Sequence, residues 1–121
     1  MKSRNSVTLR FPPDTYRRLR LYAFLADLSM NDVILHAARA STSAPHRASR
    51  PLRGEPVTGA RERTCVRLPD ADHEHFCQEA RRHACSLNAF MTQAVHDFLS
   101  EPARAGALTR AMRTLDSLPP L

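Results

Sequence analysis

Apolar and polar residues alternate from Ser6 to Phe11, with Val7, Leu9 and Phe11 on one side and Ser6, Thr8 and Arg10 on the other. A period of two marks a half-buried strand, and Pro12, which has no N–H to give a ladder, ends it. The period then changes. Leu19, Tyr22, Ala23 and Ala26 recur at helical spacing behind Asp14, which stands where a cap would, with Arg17, Arg18 and Arg20 spread around the other side. Asp27 and Leu28 break the pattern. Ser29 then stands as the cap of a second helix, whose apolar face is Met30, Val33, Ile34, Ala37 and Ala38.

The same succession returns in the second half. A strand is expected at Arg63 to Leu68, a helix over about Asp70 to His83, and another from Ser86 to about Leu99, with Phe76, Ala80, Leu87, Phe90, Met91, Ala94, Val95 and Phe98 as the apolar positions. Sliding the chain by 57 places without a gap lays Arg10 on Arg67, Pro12 on Pro69, Ala23 on Ala80, Ser29 on Ser86, Asn31 on Asn88 and Ala37 on Ala94. Apolar positions match in kind, as with Leu19 on Phe76 and Ile34 on Met91. A constant register of this sort implies two copies of one unit, repeat one at 6–41 and repeat two at 63–99.

Residues 42–62 between the copies are rich in Pro, Gly and small polar residues and read as a linker, and 100–121 form a C-terminal tail. Glu101-Pro102 stops the preceding helix, and ALTRAMRTLDSL within the tail has the spacing of one more short helix, with Leu108, Met112 and Leu115 on a side. One strand and two short helices cannot bury such a face or satisfy a strand's backbone alone. Antiparallel pairing of the two strands would do both. The expected fold is therefore mainly α with one two-stranded antiparallel ribbon, in which tandem repeats form a single-chain pseudodimer and 1–121 make one pseudosymmetric domain.

Charge sharpens this picture. Eighteen Arg and Lys against twelve Asp and Glu give a net +6, and seventeen of the eighteen bases are arginine. Residues 1–60 hold ten bases and four acids, residues 61–121 eight of each. Guanidinium forks suit phosphates and base edges, so the excess points towards nucleic acid. The outward face of the ribbon would bear Ser6, Thr8, Arg10, Arg63, Cys65 and Arg67, the candidates for base contact, since a two-stranded ribbon fits the DNA major groove and arginine pairs with guanine O6 and N7. Backbone donors at the starts of the second helices, at Ser29, Met30 and Asn31 and at Ser86, Leu87 and Asn88, are the candidates for phosphate contact.

Other chemistry has little support. The three cysteines, Cys65, Cys77 and Cys85, read as thiols, with Cys85 packed in a turn. His73 and Cys77 are four apart on a helix, but His75 lies on another face and no second close-spaced pair accompanies them, so no metal or other cofactor is expected. The three glycines form no phosphate loop, and the acids Asp14, Asp70 and Asp72 sit in first helical turns, so no enzyme is expected. No apolar run is long enough to span a bilayer, and the start MKSRNS lacks a signal core, giving an expected cytoplasmic location.

The order strand, Pro, helix, Ser-x-Asn, helix resembles the ribbon-helix-helix family of DNA-binding proteins, which includes the methionine repressor and Arc. The pattern is carried by TLRFP at 8–12 with SMN at 29–31, and by CVRLP at 65–69 with SLN at 86–88. Family members pair one strand from each of two chains, so the resemblance implies a pseudodimer here. Length, tandem copies and arginine content are also similar to the C-terminal DNA-binding part of VirC-type accessory virulence proteins of Agrobacterium tumour-inducing plasmids. That likeness implies sequence-specific binding of double-stranded DNA at a plasmid transfer or border site, in conjugation or T-DNA processing, beside a nicking endonuclease (relaxase) and other DNA-processing proteins. A transcriptional repressor of the same fold uses the same face. An antitoxin-like protein-interaction module would instead engage its partner through 42–62 or 103–118.

Overall fold

The computed structural model describes residues 4–43 and 62–117. Strand β1 (Arg4–Phe11) leads into helices α1 (Pro13–Ala26) and α2 (Met30–Ser43), and strand β2 (Glu62–Pro69) into α3 (Asp70–Arg82), α4 (Leu87–Ser100) and α5 (Pro102–Asp116). The two strands pair antiparallel as the only sheet among the described residues, with Ser6 opposite Arg67, Thr8 opposite Cys65 and Arg10 opposite Arg63. Most of the expected linker, 44–61, lies outside the described residues.

Each helix starts and stops for a local reason. Pro12, in extended conformation, occupies the N-cap position of α1 and Pro13 the first turn, where the missing N–H costs nothing. Asp14 is therefore not the cap: it sits inside the first turn, 3.1 Å from Arg18 Nε one turn on. The helix ends at Asp27, whose φ of 57° is left-handed, while the Leu28 N–H reaches back 2.9 Å to the Ala23 carbonyl. Ser29 Oγ then accepts from the Asp32 N–H at 3.0 Å and opens α2. The second half repeats these devices. Ala84 has φ 53°, the Cys85 N–H reaches the Ala80 carbonyl at 3.0 Å, and Ser86 Oγ accepts from the Ala89 N–H at 3.0 Å.

The ribbon's inner face carries Leu9, Phe11, Val66 and Leu68, each fully buried against the helices. Leu19 and Ala23 of α1, Val33, Ile34, Ala37 and Ala38 of α2, Phe76 and Ala80 of α3, and Phe90, Met91, Val95 and Phe98 of α4 complete one continuous core. A fully buried Leu or Phe stabilises by about 1.5–3 kcal/mol, which is why neither half could stand alone on its own few positions. Ala26, assigned to the apolar face of α1, is exposed: the chain turns away at Asp27 before that position meets the core. Thr64 faces inward, opposite Leu9, and its buried Oγ1 has no hydrogen-bond partner among the described residues.

The tail forms a longer helix than its apolar spacing indicated, because Pro102 both follows the end of α4 and supplies the first turn of α5. Leu108 anchors it in the core, whereas Leu115 remains half exposed. Phe98 joins three parts of the fold. Tyr22 and His36 present ring edges to it at 5.4 and 5.5 Å, and the Arg104 guanidinium of α5 lies 3.7 Å from its centroid. Among the described residues no helix is long and apolar enough to cross a membrane.

Candidate nucleic-acid interface

The period-two alternation of the strands places Ser6, Thr8, Arg10, Arg63, Cys65 and Arg67 together on the solvent side of the ribbon, all exposed. They form three cross-strand rows. Arg67 uses both its N–H and its carbonyl for bonds to Asn31, so these groups face away from β1. The Ser6–Arg67 row is then a non-hydrogen-bonded pair, and by the alternation of an antiparallel ladder so are Thr8–Cys65 and Arg10–Arg63. In such pairs the side chains stand closest. Arg10 and Arg63 thus bring two like charges face to face, an arrangement that weakens a ribbon in water.

Ion pairing separates these arginines from five of those on the helices; Arg20, Arg81, Arg110 and Arg113 also lack an ion pair among the described residues. Arg17, Arg18, Arg39, Arg82 and Arg104, all on helices, each lie 2.5–3.1 Å from a carboxylate oxygen. Arg10, Arg63 and Arg67 have no ion pair among the described residues, and no acid shares their face. The best-formed helix pair is Arg39 with Asp72, whose two bonds of 3.0 and 2.7 Å join α2 to α3. The Arg39 hydrogen bonds hold the Asp72 carboxyl below the usual aspartate value.

The starts of α2 and α4 lie along the two outer edges of the ribbon. Asn31 Nδ2 donates to the Arg67 carbonyl at 3.2 Å and Asn31 Oδ1 accepts from the Arg67 N–H at 2.8 Å. On the other edge Asn88 Nδ2 donates to the Thr8 carbonyl at 3.1 Å. Each asparagine comes from one half of the chain and closes the strand edge of the other. Sequence reasoning set Asn31 and Asn88 beside phosphates but missed this use of their side chains, for which an asparagine two residues after a capping serine was the available signal. Ser29 and Ser86 accept a backbone N–H and keep a hydroxyl proton to donate. The N–H groups of Met30 and Asn31, and of Leu87 and Asn88, belong to the first turns, where no carbonyl within the helix can reach them.

The remaining candidates for chemistry do not assemble. His73 and the Cys77 sulfur are 3.9 Å apart on α3, but among the described residues no three His, Cys, Asp or Glu side chains gather as metal ligands. Cys85 packs against the core, and burial pushes its thiol pKa up. Cys65 is exposed in the central row of the ribbon. No protein-family model, curated protein or solved structure matches the chain.

Proposed function

We infer that this protein binds double-stranded DNA sequence-specifically by laying its ribbon in the major groove, and that it is built as tandem ribbon-helix-helix repeats in a single-chain pseudodimer. The observation that carries the reading is the clustering of three exposed arginines, Arg10, Arg63 and Arg67, on one ribbon face that holds no acid, none of them ion-paired among the described residues. In an unneutralised arginine face the opposed charges repel one another, and acceptors such as guanine edges and phosphates relieve that repulsion.

The pseudodimer has independent support in numbers. The shift of 57 that aligns the two halves carries Asp27 onto Ala84, the two non-glycine residues with positive φ among the described residues, and Met30–Ser43 onto Leu87–Ser100, the bounds of α2 and α4. It also carries Thr8 onto Cys65, which face each other in the ribbon, so a two-fold axis relating the halves passes through that row. The outer rows are four residues apart, which at about 3.4 Å per residue is about 14 Å, or about four base-pair steps. Flanking this face on both edges, the first turns of α2 and α4 offer backbone N–H groups, with the Ser29 and Ser86 hydroxyls, to the phosphates on either side of the groove.

The test is titration of labelled duplexes, of selected and scrambled sequence, at several salt concentrations. Arg10→Ala/Arg67→Ala should lose discrimination between the duplexes and keep weak binding that falls steeply with salt. Equal weakening on every duplex would overturn base reading. The narrower role, assistance of a nicking enzyme at a plasmid transfer or border site, rests on the resemblance alone. Its test is whether the protein raises the nicking rate on a cognate duplex by a relaxase encoded beside it.

A further inference from the structure

The two ends of the ribbon differ in chemistry. On one side of the Thr8–Cys65 row Arg10 stands opposite Arg63, and on the other Ser6 stands opposite Arg67. The 57-residue shift exchanges Arg10 with Arg67 and Ser6 with Arg63. Two identical strands would therefore present two identical end rows, and the difference between Ser6 and Arg63 is what makes them unlike. We propose that this difference makes the ribbon read two unequal half-sites: the Arg10–Arg63 end takes a half-site with two guanines, the Ser6–Arg67 end one with a single guanine, and the chain binds its site in one orientation. The proposal rests on the DNA-binding reading above.

Reach and donor geometry carry the argument. A guanidinium spans the distance from strand to base edge and donates two parallel bonds to guanine O6 and N7. A serine hydroxyl is several bonds shorter, makes one bond, and can donate or accept, so it selects no base strongly. Arg10 and Arg63 also face each other in a close non-hydrogen-bonded row, and two clustered positive charges favour the acceptor-rich edge of guanine over the amino groups of adenine or cytosine. The scaffold gives the two ends different surroundings. Helix α1 leaves β1 just beyond Arg10 and α5 packs against α1, while α3 leaves β2 just beyond Arg67. A fixed orientation on DNA therefore sets α5 on the side of the two-guanine half every time.

All four residues are exposed, so substitutions there leave the core intact. Duplexes would be selected from a random pool with the wild type, Ser6→Arg and Arg63→Ser, and affinities then measured on the winning duplex and on versions altered in one half. The wild type should select a non-palindromic site in which replacing guanine costs roughly 5- to 100-fold, and more at one end than the other. Ser6→Arg should bind best to a palindrome of the two-guanine half, and Arg63→Ser should level the two halves at lower affinity. A palindromic wild-type site, or an asymmetry unchanged in both variants, overturns this inference and leaves DNA binding standing. No duplex binding, or a sequence preference that survives Arg10→Ala/Arg67→Ala, overturns the functional reading and this inference with it.

Discussion

The two halves of the chain agree where the backbone is constrained and differ where side chains meet solvent. Both turn from first to second helix through one left-handed residue, a backward bond of five residues and a capping serine. The exposed positions in the last turns of their first helices differ, although Ala23 and Ala80 match there. In α1 Phe24 is 81% exposed and Leu25 52%, whereas the corresponding positions of α3 are Arg81 and Arg82, which complement the negative end of the helix dipole. Steric limits on φ and the need to satisfy helix ends admit few solutions, so the same one recurs. An exposed position answers only to what it touches, and there the halves are free to specialise.

Substitutions at matched positions turn that contrast into measurements. The largest effect is expected in the shared core. Leu19→Ala and Phe76→Ala occupy equivalent, fully buried sites, and each should cost about 2–5 kcal/mol. Both variants should lower the midpoint of a single urea transition seen by circular dichroism; two separate transitions would mean that the halves do not share one core. Next come the strand-edge asparagines. Asn31→Ala breaks two bonds to Arg67 and Asn88→Ala one bond to Thr8. At about 1 kcal/mol per bond or less, the first should lower stability more, and equal losses would erase that asymmetry.

Smaller gains are expected from repairing strain. Ala84 holds a left-handed φ of 53° against its Cβ, so Ala84→Gly should stabilise by up to about 1 kcal/mol. At the matched Asp27, φ 57°, the change to Gly should gain less, because a short polar side chain tolerates this region better. Thermal melts compare the pair directly, and an equal gain at both would show that side-chain type is immaterial there. Smallest is the acid response. The Asp72 carboxyl is held below its usual value by Arg39, so its contribution is present in full above the unfolded aspartate pKa of about 3.9 and lost as pH falls through the depressed folded value. Because the Arg39 side chain of this pair is about half exposed, the loss should be under about 1 kcal/mol. Asp72→Asn should flatten that part of the stability curve, while Thr15→Ala, at the matched position of α1, should leave its shape unchanged.

Much of this architecture was legible because its signals are local. Alternation around Val7 and Val66 specified which strand face turns outward, and Ser29 and Ser86 marked their helix starts through a bond three residues long. What escaped depends on neighbours far away in the chain. Asn31 meets Arg67 across 36 residues and Asn88 meets Thr8 across 80, so no local pattern could separate a strand-edge clamp from a phosphate contact. Asp14 has the side chain of a cap but not the position, because Pro12 already holds the extended conformation that the position needs. The opposition of Arg10 and Arg63 required the register, which antiparallel pairing alone leaves open by steps of two residues.

One covalent fact about the ribbon reaches beyond its geometry. Both strands belong to the same polypeptide, so their meeting is a first-order event whose yield does not change on dilution. On the proposed DNA-binding reading, the ribbon needs no association of chains to form, and its binding curve should follow simple one-to-one mass action.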